Sequence, residues 1–144
     1  MDGYRAEQVI NGTWGELWIN GEYVAEVTGL EAKVTLEKAE VPMVRKMSKG
    51  HKVTGYEGKG TIKLNKVTSR FIKLMNDNMK QGKQTVCTIV SKLADPDALG
   101  AERIIIKDAT FDELTLANWE ARKNVEESVP FTFSDWYVLD LIEA

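Results

Sequence analysis

Leu30, Ala32, Val34 and Leu36 alternate with Glu31, Lys33, Thr35 and Glu37, and this pattern limits the fold more than any other feature of the chain. A side-chain period of two places the four apolar residues on one face of an extended strand and the polar ones on the other, so the segment is a strand packed on one side and wet on the other. The alternation resumes at Thr61, Ile62, Lys63 and Leu64. Just before it, Gly55, Gly58 and Gly60 predict bulges or a close approach of backbone within a long strand bent midway. Between the two strands lies "VPMVRKMSKGHKVTG", which is too long and too basic for a simple hairpin turn and reads as a long loop over residues 41–52. Arg45, Lys46, Lys49 and Lys52 crowd into it, although the chain carries 22 acidic and 19 basic residues and a net charge of −3.

The remaining elements read as follows. Asn20-Gly21 between two apolar runs supplies the positive φ angles of a tight hairpin turn. Residues 1–13, glycine-bearing and without periodicity, read as an extended N-terminal arm. One helix is predicted over residues 66–81: Val67, Phe71, Leu74, Met75 and Met79 recur at spacings of three and four, and Gly82 stands where a left-handed C-cap belongs. "QTVCTIVSKL" is a short apolar strand. Two long strands close the chain, the second placing Val129, Phe131 and Phe133 on one face and Ser128, Pro130 and Thr132 on the other. The terminal "WYVLDLIEA" is apolar enough to need a cover. Pro130 implies an edge or a position whose missing N–H faces no partner. These elements add up to a mainly β fold, an antiparallel β-sandwich or barrel of about six or seven strands plugged by one helix, in a single domain over residues 1–144.

Residues able to do chemistry are sparse. His51 has no carboxylate near it in sequence to orient it, and a solvated loop histidine is the simpler reading. Cys87 in "TVCTIV" reads as a small core residue. "GKQT" at 82–85 fails as a phosphate loop, because the earlier glycine is replaced by Asp77 and the segment ends a helix instead of opening one. One histidine and one cysteine do not make a zinc site. No metal or cofactor and no catalytic function are therefore expected. Trp14, Trp18, Trp119 and Trp136 read as core or subunit-interface residues. A lone cysteine, no secretory signal and no apolar run of membrane-spanning length predict a soluble chain folded in a reducing compartment. Open sheet edges, an arm and a cationic loop without a catalytic constellation suit a protein that pairs with its own copies.

The stretches "GKGTIKLNKVTSR", "KQGKQTVCTIVSKLADPDALGAER" and "PFTFSDWYVLDLI" resemble tail tube proteins of contractile-tailed phages and phage-like elements of the PBSX type, and the resemblance spans nearly the whole chain. It implies a tail-tube fold related to the tube proteins of type VI secretion systems. It further implies hexameric rings stacked into a hollow tube, a location in the virion tail, and sheath, tape measure and baseplate proteins as partners. DNA would pass through the lumen without specific binding. No membrane partner and no active site belong to this family. The loop, with Arg45, Lys46, Lys49 and His51, would reach a neighbouring subunit or the adjacent ring, where acids such as Asp95, Asp97 or Glu102 would meet its cations. A lumen that lets DNA slide should be neutral or acidic, because bound phosphates would otherwise be held by counterion release. Glu31, Thr35 and Glu37 on one strand and Glu126, Ser128 and Thr132 on another are the lumen-facing candidates, while Lys33 and Lys63 lie on similar polar faces. Competing readings are a secretion-type tube that carries effectors and a small-ligand β-barrel, which would need an enclosed apolar cavity.

Overall fold

A computed structural model describes residues 3–143. Its elements are β1 (Gly15–Ile19), β2 (Glu22–Tyr23), β3 (Val27–Val41), β4 (Gly50–Asn65), α1 (Arg70–Lys80), β5 (Val86–Leu93), β6 (Glu102–Phe111), β7 (Glu126–Phe133) and β8 (Asp135–Asp140). All pairings are antiparallel, in the order β2-β1-β5-β6-β7-β4-β3, with β8 also on β6. Strand β6 gives one edge to β5 and divides the other: residues 103–107 pair with β8, and Thr110 and Phe111 pair with β7. The hand-over falls at Asp108, whose φ of 55° accompanies a register slip against β5 between Cys87 and Ile89. A bulge bends its strand and raises the local twist. One hydrogen-bonded sheet thus folds over into two layers, β2-β1-β5-β6-β8 and β3-β4-β7.

The core lies between these layers. Leu17, Ile19, Ile89 and Ile106 come from the first, Ile62, Leu64, Val129, Phe131 and Phe133 from the second, and all are buried in one cluster. Glycines on β4 leave room for the rings of β7 close to the backbone. A Cβ at Gly58 would sit 2.5 Å from the Phe133 ring, and one at Gly60 would sit 2.4 Å from both the Phe131 ring and the Glu31 carbonyl oxygen. The expected close backbone approach is therefore at Gly58 and Gly60. The register of this ladder shifts at two other places, between Val27 and Gly29 at its near end and further out between Glu37 and Lys38, where Thr54 is left without an opposite residue.

Local chemistry explains the remaining boundaries. Asn20 and Gly21 take φ values of 51° and 84° between β1 and β2, the hairpin geometry their sequence predicts. Helix α1 is shorter than the 66–81 expected. Phe71 and Met75 are buried four residues apart, but Val67 is exposed and precedes the helix, which starts only after the non-helical Ser69 (φ −86°, ψ 46°), while the Lys66 amide is bonded to the Val125 carbonyl at the end of β4. At the other end Gly82 has φ 70°; its amide donates to Met79 and that of Lys83 to Asn78, the paired bonds of a Schellman cap. The Arg70 Nε lies 2.8 Å from Glu26 Oε1 and ties the helix to the start of β3, and this bond holds the Glu26 carboxyl below its ordinary pKa. Lys66 pairs at 3.1 Å with Glu127, an acid on the core-facing side of β7.

Strand β6 stops at Phe111, where a longer strand was expected. The Asp112 amide donates to the Pro130 carbonyl, so the Pro130 nitrogen faces the same edge and has no N–H to carry the ladder on. Residues 112–125 continue without regular structure. The N-terminal arm also departs from an extended chain. It forms 3-10 turns at Ala6–Gln8 and Gly12–Trp14, and the part of the predicted arm before Gly3 lies outside the described residues.

Candidate assembly surfaces

Three surfaces stand out, and the first is a polar sheet face. On the β3-β4-β7 layer, every second residue points away from the core: Glu31, Lys33, Thr35 and Glu37 on β3, Glu57, Lys59, Thr61 and Lys63 on β4, and Glu126, Ser128, Pro130 and Thr132 on β7. All six residues proposed to face a lumen therefore share one surface, and so do Lys33 and Lys63. Four carboxylates meet three ammonium groups there, several in direct contact: Lys33 is 3.1 Å from Glu31 and Lys59 is 3.5 Å from Glu57. The Thr132 hydroxyl is 3.1 Å from that of Thr110 on β6. The face is hydrophilic and close to electrically neutral.

The second surface is the distal half of the β3-β4 ladder. The loop expected over residues 41–52 is shorter, because β3 and β4 stay paired out to Val41 and Gly50. His51 consequently belongs to β4, exposed opposite Glu40, and only residues 42–49 form the turn. From Glu31 outward every residue of β3 is exposed. Val34, Leu36, Val53 and Tyr56 are left partly or largely uncovered on the distal part of the ladder, beyond the point where β7, the neighbour of β4 in the same layer, ends at Phe133 opposite Gly58. Beyond it Tyr56 packs edge-on against Trp136 at 5.4 Å. At the tip, Met47 and Val44 are fully solvated, at 104% and 91% relative exposure. Arg45 has φ 65°, and Lys49 lies 3.4 Å from Glu40.

The third is a groove of about 720 Å³ at the opposite end of β3, lined by Leu17, Leu30, Ala32, Leu93, Ile104 and Ile106 and rimmed by Glu16, Lys92 and Glu102. Of the proposed acidic counterparts, Asp95 is already engaged. It is buried and accepts from the Asn11 amide at 2.8 Å and the Asp97 amide at 2.9 Å, clasping the N-terminal arm to the β5–β6 connection. Asp97 is exposed and Glu102 half-buried.

The chemistry-bearing residues sit in structural settings. Burial raises the Cys87 thiol pKa, and its Sγ accepts from Asn20 Nδ2 at 3.5 Å. Among the described residues no group of three metal-ligating side chains comes together, and no helix is long and apolar enough to cross a membrane. Of the tryptophans, Trp136 packs on Phe133, Trp18 on Tyr23, and Trp119 is exposed. Sequence reasoning missed the groove and the apolar tip. Alternation could have hinted at Val53 and Tyr56, but the groove joins residues from four strands and leaves no local signature.

These features describe a β-sandwich subunit with more unpaired surface than a monomer needs, and residues 3–140 match the family described as phage tail tube protein. The chain belongs to the phage tail tube protein family, structural components of virion tails. It is 38% identical over 136 residues to the phage-like element PBSX protein XkdM of Bacillus subtilis (strain 168), covering 93% of this chain and 92% of that protein. Its fold is similar to that of the anti-feeding prophage tube terminating cap, with a TM-score of 0.77, 11% identity and 97% of each chain covered. It is also similar to a chain of an extracellular contractile injection system sheath-tube complex in the extended state, with a TM-score of 0.73, 9% identity, and 94% and 95% of the two chains covered.

Proposed function

We propose that this chain is the subunit of a contractile tail's inner tube, forming hexameric rings that stack around a hollow lumen. The polar face of β3, β4 and β7 lines that lumen. The observation that carries the reading is the composition of this face: twelve alternating positions, none with a large apolar side chain, on which carboxylates and ammonium groups nearly cancel. Such a wall neither holds phosphates by counterion release nor offers apolar area to stick to, so DNA slides past it. The uncovered ribbon of β3 and β4 reaches a neighbouring copy, with Arg45, Lys46, Lys49 and His51 in or beside the contact. Sheath, baseplate and tape measure proteins are the other partners. The chain performs no catalysis: the Cys87 thiol is buried with its pKa raised, and the Glu40 carboxylate opposite the exposed His51 is paired with Lys49.

Electron microscopy of the concentrated protein, alone and with its sheath protein, tests this directly. Six-fold rings or hollow tubes are expected. Monomers alone under both conditions would overturn the proposal.

A further inference from the structure

We infer that Asn11-Gly12 is a site of spontaneous chemical modification, at which the Gly12 amide nitrogen closes on the Asn11 side chain and the isoaspartyl product frees the N-terminal arm from Asp95, while the fold protects the second such pair, Asn20-Gly21. The step is intramolecular and needs only water. The Gly12 nitrogen bonds to Asn11 Cγ, the Cγ–Nδ2 bond breaks, and the nitrogen's proton departs with the side-chain amide as ammonia. Water then opens the resulting succinimide at either carbonyl. Addition at Cγ leaves aspartate; addition at the backbone carbonyl leaves isoaspartate, whose main chain runs through Cβ and is longer by one methylene. Nothing is oxidised or reduced. A glycine after asparagine favours the closure, because no side chain shields the attacking nitrogen.

Both asparagines are exposed, so access to water does not separate them. Their bonds do. At Asn20 the side chain is held at both ends, Oδ1 accepting from the Thr88 amide at 2.9 Å and Nδ2 donating to Cys87 Sγ at 3.5 Å, and the Asn20 amide donates to the Thr88 carbonyl at 2.9 Å. Swinging its Cγ onto the Gly21 nitrogen would break the bonds that tie the β1–β2 turn to β5. Asn11 has one side-chain bond, Oδ1 accepting from the Thr13 amide at 3.0 Å. Its carbonyl accepts from the Trp14 amide at 3.2 Å across an exposed 3-10 turn, a bond of poorer geometry than a helical one. The consequence falls on the clasp, where the Asn11 amide donates to the buried Asp95 carboxylate at 2.8 Å. Aspartate at position 11 keeps that donor and still caps the turn, since Asp and Asn are comparable N-caps. A main chain lengthened by a methylene cannot keep the Asp95, Thr13 and Trp14 bonds together. Gly12, Thr13 and Gly15 line the groove beside Leu17 and Leu30, so release of the arm removes one of its walls.

Ageing the native protein at mildly alkaline pH, with peptide mass mapping and enzymatic isoaspartate labelling of timed samples, tests the site. Conversion at Asn11 should outrun that at Asn20 by about tenfold or more, and in urea the two should react at similar rates. Gly12→Ala should suppress conversion at Asn11 alone and leave the fold intact, because a Cβ there meets nothing within 4 Å and the backbone is not left-handed. The isoaspartyl fraction should exchange amide hydrogens faster at Asn11, Thr13 and Trp14 while the core strands stay protected, whereas freshly purified Asn11→Asp should exchange like the native protein. Absence of conversion at Asn11, conversion at Asn20 that keeps pace with it, a rate ratio unchanged by urea, or an isoaspartyl fraction with its arm still protected would each overturn the inference.

Discussion

On the face proposed to line the lumen, reversing Glu31 and Glu37 to Lys should create a surface that holds DNA. The polar face has one more carboxylate than ammonium group among Glu31, Glu37, Glu57, Glu126, Lys33, Lys59 and Lys63. The double change leaves two carboxylates against five ammonium groups on the same residues, an excess of three positive charges per subunit. Folding should survive it. Glu31 stands opposite Thr61 and Glu37 opposite Gly55, so neither new lysine faces a like charge directly across the ladder. The ion pair that is lost, Glu31 with Lys33 at 3.1 Å, is 67% and 71% solvent-exposed on its two side chains and contributes about 0–1 kcal/mol. A tube so lined that contacts about six to ten phosphates should bind duplex DNA with an affinity that falls roughly 10³–10⁵-fold between 50 and 200 mM salt. The native tube should show no such binding. Co-sedimentation of tubes with short duplexes across a salt series reads both, with Glu31→Gln and Glu37→Gln as neutral controls. Normal tubes that still ignore DNA would show that this face does not line the lumen. A folded variant that forms no rings would place these residues in an interface and refute the reasoning equally.

Other outcomes follow from individual contacts. Gly60→Ala should destabilise more than Gly58→Ala, near the upper end of the roughly 1–3 kcal/mol typical of overpacking, because a Cβ at Gly60 meets the Glu31 backbone carbonyl, while at Gly58 it meets only the ring of Phe133; denaturant midpoints rank the two, and equal losses would contradict the packing account. Glu26→Gln should cost about 1–3 kcal/mol at neutral pH by weakening the bond from Arg70. The folded-state pKa of Glu26 is depressed, so its contribution is present above the unfolded carboxylate value and fades as pH falls through the lower folded one. Urea midpoints from neutral to acid pH should therefore show a flatter acid limb in the variant. Asp95→Ala removes the acceptor of the Asn11 and Asp97 amides, and hydrogen exchange at Asn11 should accelerate while the core strands stay protected.

Much of the chain was legible because its signals are local. Asn20-Gly21 specifies its turn through two positive φ angles, Gly82 its cap through one, and the alternation of residues 30–37 states which side chains share a face. That pattern placed Glu31, Thr35 and Glu37 together, and the pairing of β3, β4 and β7 set Glu126, Ser128 and Thr132 beside them. Alternation by itself does not say how far a strand is covered. Leu36 and Ile62 carry the same apolar signal, yet Ile62 is fully buried and Leu36 is 51% exposed, because cover depends on where the opposite layer ends.

The amino-acid sequence alone determined the strand character, the turn at Asn20-Gly21 and the cap at Gly82, the polar and apolar faces and the positive charge of the tip, since each arises from backbone preferences and side-chain periods within a few residues. Tertiary structure decided what depends on partners distant in the chain. Pairing of Val41 with Gly50 shortened the loop and moved His51 into a strand. The proline nitrogen at 130 ended β6, Asn11 captured Asp95, and residues from β1, β3, β5 and β6 converged on one groove. Register and layer contact are properties of the whole packed sheet, and no window of sequence contains both sides of them.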